Sequence, residues 1–500
     1  MKNRNIIWGV ILSYINVLIS ILYGFISVPI LLDALGQSEY GVYSTIISMI
    51  SYMSIMDFGI HNVLVRYLTK YRVQNDRKAY ENLLAIAFVI YGFIAAILFG
   101  IGMGIYRVLP NMFAASFSTE EITIAKKIFW IVLLDLAVSL PGAVFQCVMN
   151  AEEHFIVCRL TIGVKQLLKL LIIIFVSRMG GKSLAFAAAV FCLNMGVILI
   201  QAIYAVSVLH MRVRLHVWNW GYIRTLFIYT SYVFIATVAD QILWKLDSVI
   251  LGMRISASVV AIYAVAMNLV TIFKKFSGAV SGIFLPRATA MSITDNTPEA
   301  SVRLMVKVGL MQNVILSLAL IGFGLIGKEF ILVWLGEGYD DIYLIFLILC
   351  GSMLIPSCQS IGINILEARN RHRFRAVVLC FLAILNLITT YIAVGRFGMI
   401  GAAACTAAAV VIGQVGIINI YYKKALGMDM KVFFRDTFLR LALPIMIGGV
   451  AAWIVWHMIP LYGNWMSIAV KVVALSLAYI IVIAILSGKY ICKVYGVKLK

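Results

Sequence analysis

The sequence predicts an all-α polytopic membrane protein of about fourteen transmembrane helices. They form two six-helix lobes related as a parallel repeat, followed by two further helices. Three observations carry this expectation. Of 500 residues, 63% are hydrophobic and only 12% are charged, where a soluble chain has about a quarter charged. The mean hydropathy is +1.01, and apolar runs of about 20 residues recur from end to end, the length a helix needs to cross a bilayer. Segments of the two halves also match one another at a nearly constant offset.

The runs place spans at roughly 6–32, 40–64, 83–106, 124–149, 161–178, 183–209, 222–250, 256–285, 302–326, 341–366, 375–395, 398–422, 439–459 and 465–487. Helices are the reading for all of them, because a backbone in lipid must satisfy its own hydrogen bonds. The opening "MKNRN" and the apolar run from Ile6 to Leu32 resemble a signal peptide in outline. The run is too long for one, so it reads as the first span. Tight turns are expected at Gly180–Gly181, between spans 5 and 6, and at Arg396–Gly398, between spans 11 and 12. Eight cysteines, mostly in apolar segments and without metal-ligand spacing, read as small buried hydrophobes. "GFGLIGKE" (Gly322–Glu329) matches a phosphate-loop pattern, but Glu329 stands where a Ser or Thr should be. "GGKS" (Gly180–Ser183) lacks the first glycine. Both are chance matches.

Orientation follows from lysine and arginine. With the N-terminus in the cytoplasm, and basic residues near span ends counted with the adjoining loop, inner loops and tails hold 27 of the 41 Lys and Arg, and outer loops hold 8. The net charge of +20 therefore reads as membrane orientation and not as nucleic-acid binding. Both termini fall inside. Six basic residues remain within spans, all lysines: Lys165, Lys169, Lys245, Lys274, Lys275 and Lys471. Asp57, Asp135, Asp240 and Asp247 join them.

The repeat is seen in "LLDALGQSEYGVYSTI" (Leu31–Ile46) against "ILGMRISASVVAIYAV" (Ile250–Val265), and in "GKSLAFAAAV" (Gly181–Val190) against "GMIGAAACTA" (Gly398–Ala407). "NAEEHFIVCRL" likewise matches "EARNRHRFRAV", and Pro141 matches Pro356. The expected division is a first lobe at 1–210, a second at 211–425, and two helices with a tail at 426–500. A shift of six spans preserves orientation, so the lobes relate by an axis along the membrane normal, a plan common in transporters.

Polar residues fall on single faces of spans 1, 2, 7 and 8. They are Ser13, Asn16, Ser20 and Ser27; Ser48, Ser51, Ser54, Asp57 and His61; Asp240 and Asp247; and Asn268, Thr271, Lys275, Gly278 and Gly282. Polar faces avoid lipid, which predicts a central hydrated cavity. A lysine at the centre of a membrane helix costs about 3 kcal/mol on insertion scales. Lys274 and Lys275 are adjacent, deep and without an acid within a turn, so a functional role is expected. Lys165 and Lys169, one turn apart, are either cavity residues or, for Lys165, snorkelling. Lys245 either lines the cavity or pairs with Asp240 or Asp247. A structural role is the expectation for Lys471 and His61. Asp135 is either functional or a buried helix–helix hydrogen bond. Arg66 and Arg287, at matching inner ends of spans 2 and 8, either guard a cytoplasmic mouth or reflect charge placement alone.

The segment "ALGQSEYGVYSTIISMISYMSIMDFGIHNVLVRYLTKY", with "DSVILG" and "AIYAVA" after it and the 6+6+2 arrangement, resembles the polysaccharide biosynthesis flippases. These belong to the multidrug/oligosaccharidyl-lipid/polysaccharide exporter superfamily, and the resemblance covers essentially the whole chain. It implies a non-enzymatic translocase without cofactors. The cargo would be undecaprenyl-diphosphate-linked oligosaccharide, moved from the cytoplasmic to the periplasmic leaflet of the inner membrane for O-antigen, capsule or exopolysaccharide assembly. Polysaccharide polymerase machinery and membrane lipids would be its neighbours. Lysines at mid-depth suit a diphosphate, and Asp57, Asp240 and Asp247 are candidates for a coupling proton or sodium ion. The alternatives are a lipid II flippase, a drug or cation antiporter of the same superfamily, and a membrane-embedded polymerase or acyltransferase. An antiporter should favour acids over lysines. A polymerase of such a pathway is expected to carry a large external catalytic loop, which is missing here.

Overall fold

The computed structural model describes residues 2–53, 60–217, 220–294, 297–368, 373–459 and 463–495, and it is helical with no strand among them. The elements are α1 (Lys2–Met53), α2 (Ile60–Val73), α3 (Arg77–Phe113), α4 (Thr119–Ala151), α5 (Phe155–Arg178), α6 (Ser183–Ser207), α7 (Trp220–Arg254), α8 (Ala257–Thr294), α9 (Pro298–Leu335), α10 (Asp341–Cys358), α11 (Ser360–Ala368), α12 (Arg373–Val410), α13 (Ile418–Leu426), α14 (Met430–Phe434), α15 (Arg440–Met458) and α16 (Trp465–Tyr495). Two wider π turns, Val411–Ile417 and Arg435–Leu439, join α12 to α13 and α14 to α15.

Among the described residues, eleven stretches are long and apolar enough to cross a membrane. One, Leu12–Ser51, has 40 residues, about 60 Å of helix and twice the thickness of a hydrocarbon core. Gly36 resolves the mismatch. Its φ of 72° breaks α1 into two passes, a conformation that glycine adopts without a side-chain penalty. Gly398, with φ of 56°, does the same inside α12, at one of the predicted turns. With these two divisions and α7 the path has fourteen passes, the predicted fold class. Caps fix several helix starts. Ser118 and Glu121 form a reciprocal capping box at α4, and Thr297 caps α9 ahead of Pro298.

The chain divides into two compact units, Met1–Ala264 and Val265–Lys500. In the first, α1 packs against α4, α5 and α7, while α4 packs against α3 and α6. Its core holds Val42, Ile46, Leu64, Leu68, Leu84, Tyr91, Phe129 and Leu133. Gly41 permits the closest approach: a Cβ there would sit 1.7 Å from the Ala257 carbonyl oxygen. In the second unit α10 packs against α9 and α12, and α15 and α16 pack against each other and α9.

Three stretches differ from the sequence expectation. The tenth span is interrupted at Gln359, three residues after Pro356. Gln359 turns inward and donates through Nε2 to Asn419 Oδ1 at 2.7 Å. The ninth helix continues to Leu335 and carries Glu329 with it. The thirteenth pass begins at Met430 instead of 439, because the π turn lets α14 run into α15.

On α5, Leu160, Val164, Leu167, Leu171 and Phe175 are all 46–64% exposed. Their spacing of three and four residues makes one apolar stripe. A stripe of this kind, with eleven membrane-length apolar helices among the described residues, identifies a multi-pass membrane protein.

Candidate functional site

The site residues expected from the sequence fall into both units, and each unit is built differently. In the first unit Lys165 and Lys169 lie on one side of α5, both half-buried. Lys169 places its Nζ 5.1 Å from the centroid of the Tyr23 ring on α1, a cation–π contact. Lys165 is within electrostatic reach of Asp135 on α4 and of Lys169. Asp135 accepts a hydrogen bond through Oδ2 from Asn194 Nδ2 on α6, at 2.7 Å. Three helices thus bring two ammonium groups, one carboxylate and one carboxamide together, and α1 adds the Tyr23 ring. Asp135 is the helix–helix bond that the sequence allowed for, but it also faces the lysines.

Asp135 Oδ1, Asn194 Oδ1 and the nearby Gln166 Oε1 are buried and accept no hydrogen bond among the described residues. A buried acceptor left unmade costs about 1–3 kcal/mol. Sequence reasoning missed Asn194, Gln166 and Tyr23. One signal was available for Tyr23, which follows Ser20 by three residues on the polar stripe of the first span.

That stripe is partly structural. Asn16 Nδ2 donates to the Arg159 carbonyl at 2.8 Å, tying α1 to α5, and Ser27 is 3% exposed. The expected direction of the whole stripe toward water is therefore corrected for these two residues. Helix packing consumes them, and Gly163 makes the room beneath Asn16.

On α7, Asp240 and Lys245 are half-buried and Asp247 is 1% exposed. Asp247 Oδ2 accepts from the Tyr263 hydroxyl on α8 at 2.6 Å. The ion pair expected for Lys245 with Asp240 or Asp247 is absent among the described residues. Spacings of five and two residues turn the side chains to different faces of one helix. Arg66 is exposed on α2. His61 Nδ1 lies 3.1 Å from Cys147 Sγ, in keeping with a structural role. Asp57 lies outside the described residues, as does the Arg287 side chain.

In the second unit Lys274 and Lys275 are half-buried on α8, and Lys274 is within electrostatic reach of the Cys350 thiol on α10. Two residues on, Ser277 donates to the Ser357 carbonyl at 2.9 Å and accepts from Gln312 Nε2 at 3.1 Å. Gln312 Nε2 also reaches Ser360 Oγ at 2.8 Å, across the break that follows α10. The lysine pair is thus carried within one turn of a polar network that spans four helices, α8, α9, α10 and α11. Lys471 behaves differently. It is wholly buried on α16, 2.6 Å from Glu329 Oε2, and Ser467 Oγ donates to Glu329 Oε1 at 3.1 Å.

The sequence profile of the family described as "Polysaccharide biosynthesis protein" matches residues 4–292, more than half of the chain. The chain belongs to that family. A curated relative, the probable low-salt glycan biosynthesis flippase Agl15 of Haloferax volcanii, is 24% identical over 193 residues, 38% of this chain. The matched stretch spans 40% of that protein's length. Among solved structures, the inward closed conformation of the lipid II flippase MurJ superposes with a TM-score of 0.74 at 15% identity, covering 97% of this chain and 100% of MurJ. An inward-facing multidrug-resistance MATE transporter of the MOP superfamily gives 0.64 at 11% identity, over 82% of this chain and 95% of its own. A MOP-superfamily transporter from Pyrococcus furiosus, described as having a binding pocket of reversed polarity, gives 0.55 at 12% identity, over 85% and 97%. This member of the polysaccharide biosynthesis family therefore has the fold of MOP-superfamily transporters.

Proposed function

We propose that the protein is a flippase for polyprenyl-diphosphate-linked oligosaccharides, working by alternating access from the cytoplasmic to the periplasmic leaflet. One observation carries the reading. Five lysines in membrane helices, Lys165, Lys169, Lys245, Lys274 and Lys275, are half-buried in a member of a polysaccharide biosynthesis family. Each costs about 3 kcal/mol to place in a membrane helix, an expense that an anionic cargo justifies. A diphosphate has the charge and acceptors to meet them. The sugars need a wet passage, and the polyprenyl tail stays in lipid. Arg66 and Arg287 would gather the headgroup at the cytoplasmic mouth. Asp57, Asp240 and Asp247 are the proposed seats of a coupling proton or sodium ion, with both termini cytoplasmic in the inner membrane.

Lipid II transport is the second reading, supported by the fold likeness to MurJ over nearly all of both chains. Its cargo shares the diphosphate and differs in the sugar. A drug antiporter is disfavoured by lysines where acids would serve a cationic drug.

The test is complementation. Lys274→Gln with Lys275→Gln should insert normally and fail to restore surface polysaccharide in a strain lacking its glycan flippase. Replacement of both by arginine should keep partial activity, since charge survives while shape changes. Full activity of a well-inserted double glutamine variant would remove these lysines from the carrier site. Rescue of a strain depleted of its lipid II flippase, without rescue of the glycan strain, would favour the second reading.

A further inference from the structure

The connection between α6 and α7 carries a pattern that transport does not require. Residues 210–217 read HMRVRLHV. Basic and apolar residues alternate without exception: His210, Arg212, Arg214 and His216 against Met211, Val213, Leu215 and Val217. The segment contains no helix, and in an extended chain a period of two puts the two sets on opposite sides. Both sets are open. The four basic residues are exposed, and Val213, Leu215 and Val217 are 45%, 55% and 64% exposed. Of the apolar set, Met211 packs partly against the core of the first unit.

The depth of this segment is fixed from both ends. It leaves α6 at Ser207 and reaches α7 at Trp220. Asn82 pins it midway, accepting from the backbone N–H groups of His216 and Val217 at 2.8 and 3.0 Å and donating to the Val217 carbonyl at 2.8 Å. Asn82 lies one residue before the apolar run that begins at Leu83. The segment is therefore held at the boundary between bilayer and water. The acids beside it are engaged: Glu81 Oε2 lies 3.3 Å from His216 Nε2, and Asp76 caps α3 at Ala79 N–H. A cavity of about 360 Å³ beside the pin is lined by Lys78, Tyr71 and Asn82.

We infer that residues 208–217 form an interfacial strap that binds anionic phospholipid headgroups of the surrounding bilayer. Val213, Leu215 and Val217 dip into the acyl boundary, continuing the apolar belt of the helices. Arg212 and Arg214 take the phosphates, with Lys78 near the pin. An uncharged partner would leave the arginines unused, and a soluble acidic partner would leave the apolar side in water. The membrane satisfies both sides at once. Each arginine near an anionic surface is worth about fivefold in partitioning, so the pair contributes about thirtyfold.

The test is hydrogen exchange of the full-length protein in nanodiscs, read at amides 212–215, which the Asn82 pin does not hold. In discs with about a third phosphatidylglycerol these amides should exchange at least tenfold more slowly than in pure phosphatidylcholine discs. Arg212→Gln with Arg214→Gln should abolish the difference, and Val213→Ser with Leu215→Ser should reduce it. Equal exchange in the two lipids, or lipid-dependent protection that survives the double glutamine change, overturns the proposal. Equal and strong protection in both lipids would instead place protein over the strap and overturn it as well. This inference is independent of the cargo.

Discussion

Lys471 on α16 and the pair Lys165 and Lys169 on α5 are the same residue type inside membrane helices, yet they are treated in opposite ways. Lys471 is wholly buried, and its ammonium meets Glu329 at 2.6 Å. The carboxylate is in turn held by Ser467. Lys165 and Lys169 are half-buried and make no ion pair among the described residues. One arrangement neutralises its charge and holds α16 to α9. The other leaves positive charge beside Asp135 and three unmet oxygen acceptors. Burial inside a membrane helix alone does not decide how a lysine's charge is handled. The presence of a committed counter-ion does.

The comparison breaks most visibly at Lys471. Lys471→Ala leaves the largely buried Glu329 carboxylate, 14% exposed, without its partner, which costs up to about 3–5 kcal/mol. Monodisperse protein recovered from detergent should fall sharply. Adding Glu329→Gln should restore much of the yield, because the orphaned charge is gone. If Lys471→Ala alone is as stable as wild type in a thermal unfolding assay, the pair is not a clamp.

Lys165→Gln with Lys169→Gln should do the reverse. Stability should hold or rise, since two costly ammonium groups leave the membrane. Binding of pyrophosphate to the purified protein should weaken about thirtyfold. At an effective dielectric of about 20, one charge pair at 4 Å is worth roughly 4 kcal/mol before desolvation, and half of that is a factor of about thirty. Unchanged affinity by calorimetry would make these lysines structural, like Lys471.

The smallest effect is expected at Arg440, whose guanidinium is exposed and lies 3.2 Å from Asp436 four residues earlier. Arg440→Gln should change stability by less than about 0.5 kcal/mol, as exposed pairs do. A large fall in unfolding temperature would show that the π turn at Arg435–Leu439 depends on this pair.

Much of the fold was legible because lipid imposes simple rules. The helical character of the spans and the turns at Gly180 and Gly398 follow from hydropathy and local sequence. What was not legible is pairing across long separations. Glu329 and Lys471 stand 142 residues apart, and hydropathy ended the ninth span at 326, so the acid was assigned to an outer loop. Asp135 and Asn194 stand 59 residues apart and meet only because α4 packs on α6. The polar stripe of the first span was correctly seen as a stripe. Its partner was not, because the Arg159 carbonyl that takes Asn16 carries no sequence signal. The break at Gln359 had one visible sign, Pro356, but the amide partner Asn419 lies 60 residues on.

The most direct measurement is translocation in proteoliposomes. A fluorescent polyprenyl-diphosphate-linked oligosaccharide is placed in both leaflets, and a membrane-impermeant reductant quenches only the outer pool. Wild-type protein should make nearly all of the fluorescence accessible. Lys274→Gln with Lys275→Gln, reconstituted to the same density, should be slowed at least tenfold. A lysine-neutralised protein that moves the glycan as fast as wild type would contradict the account.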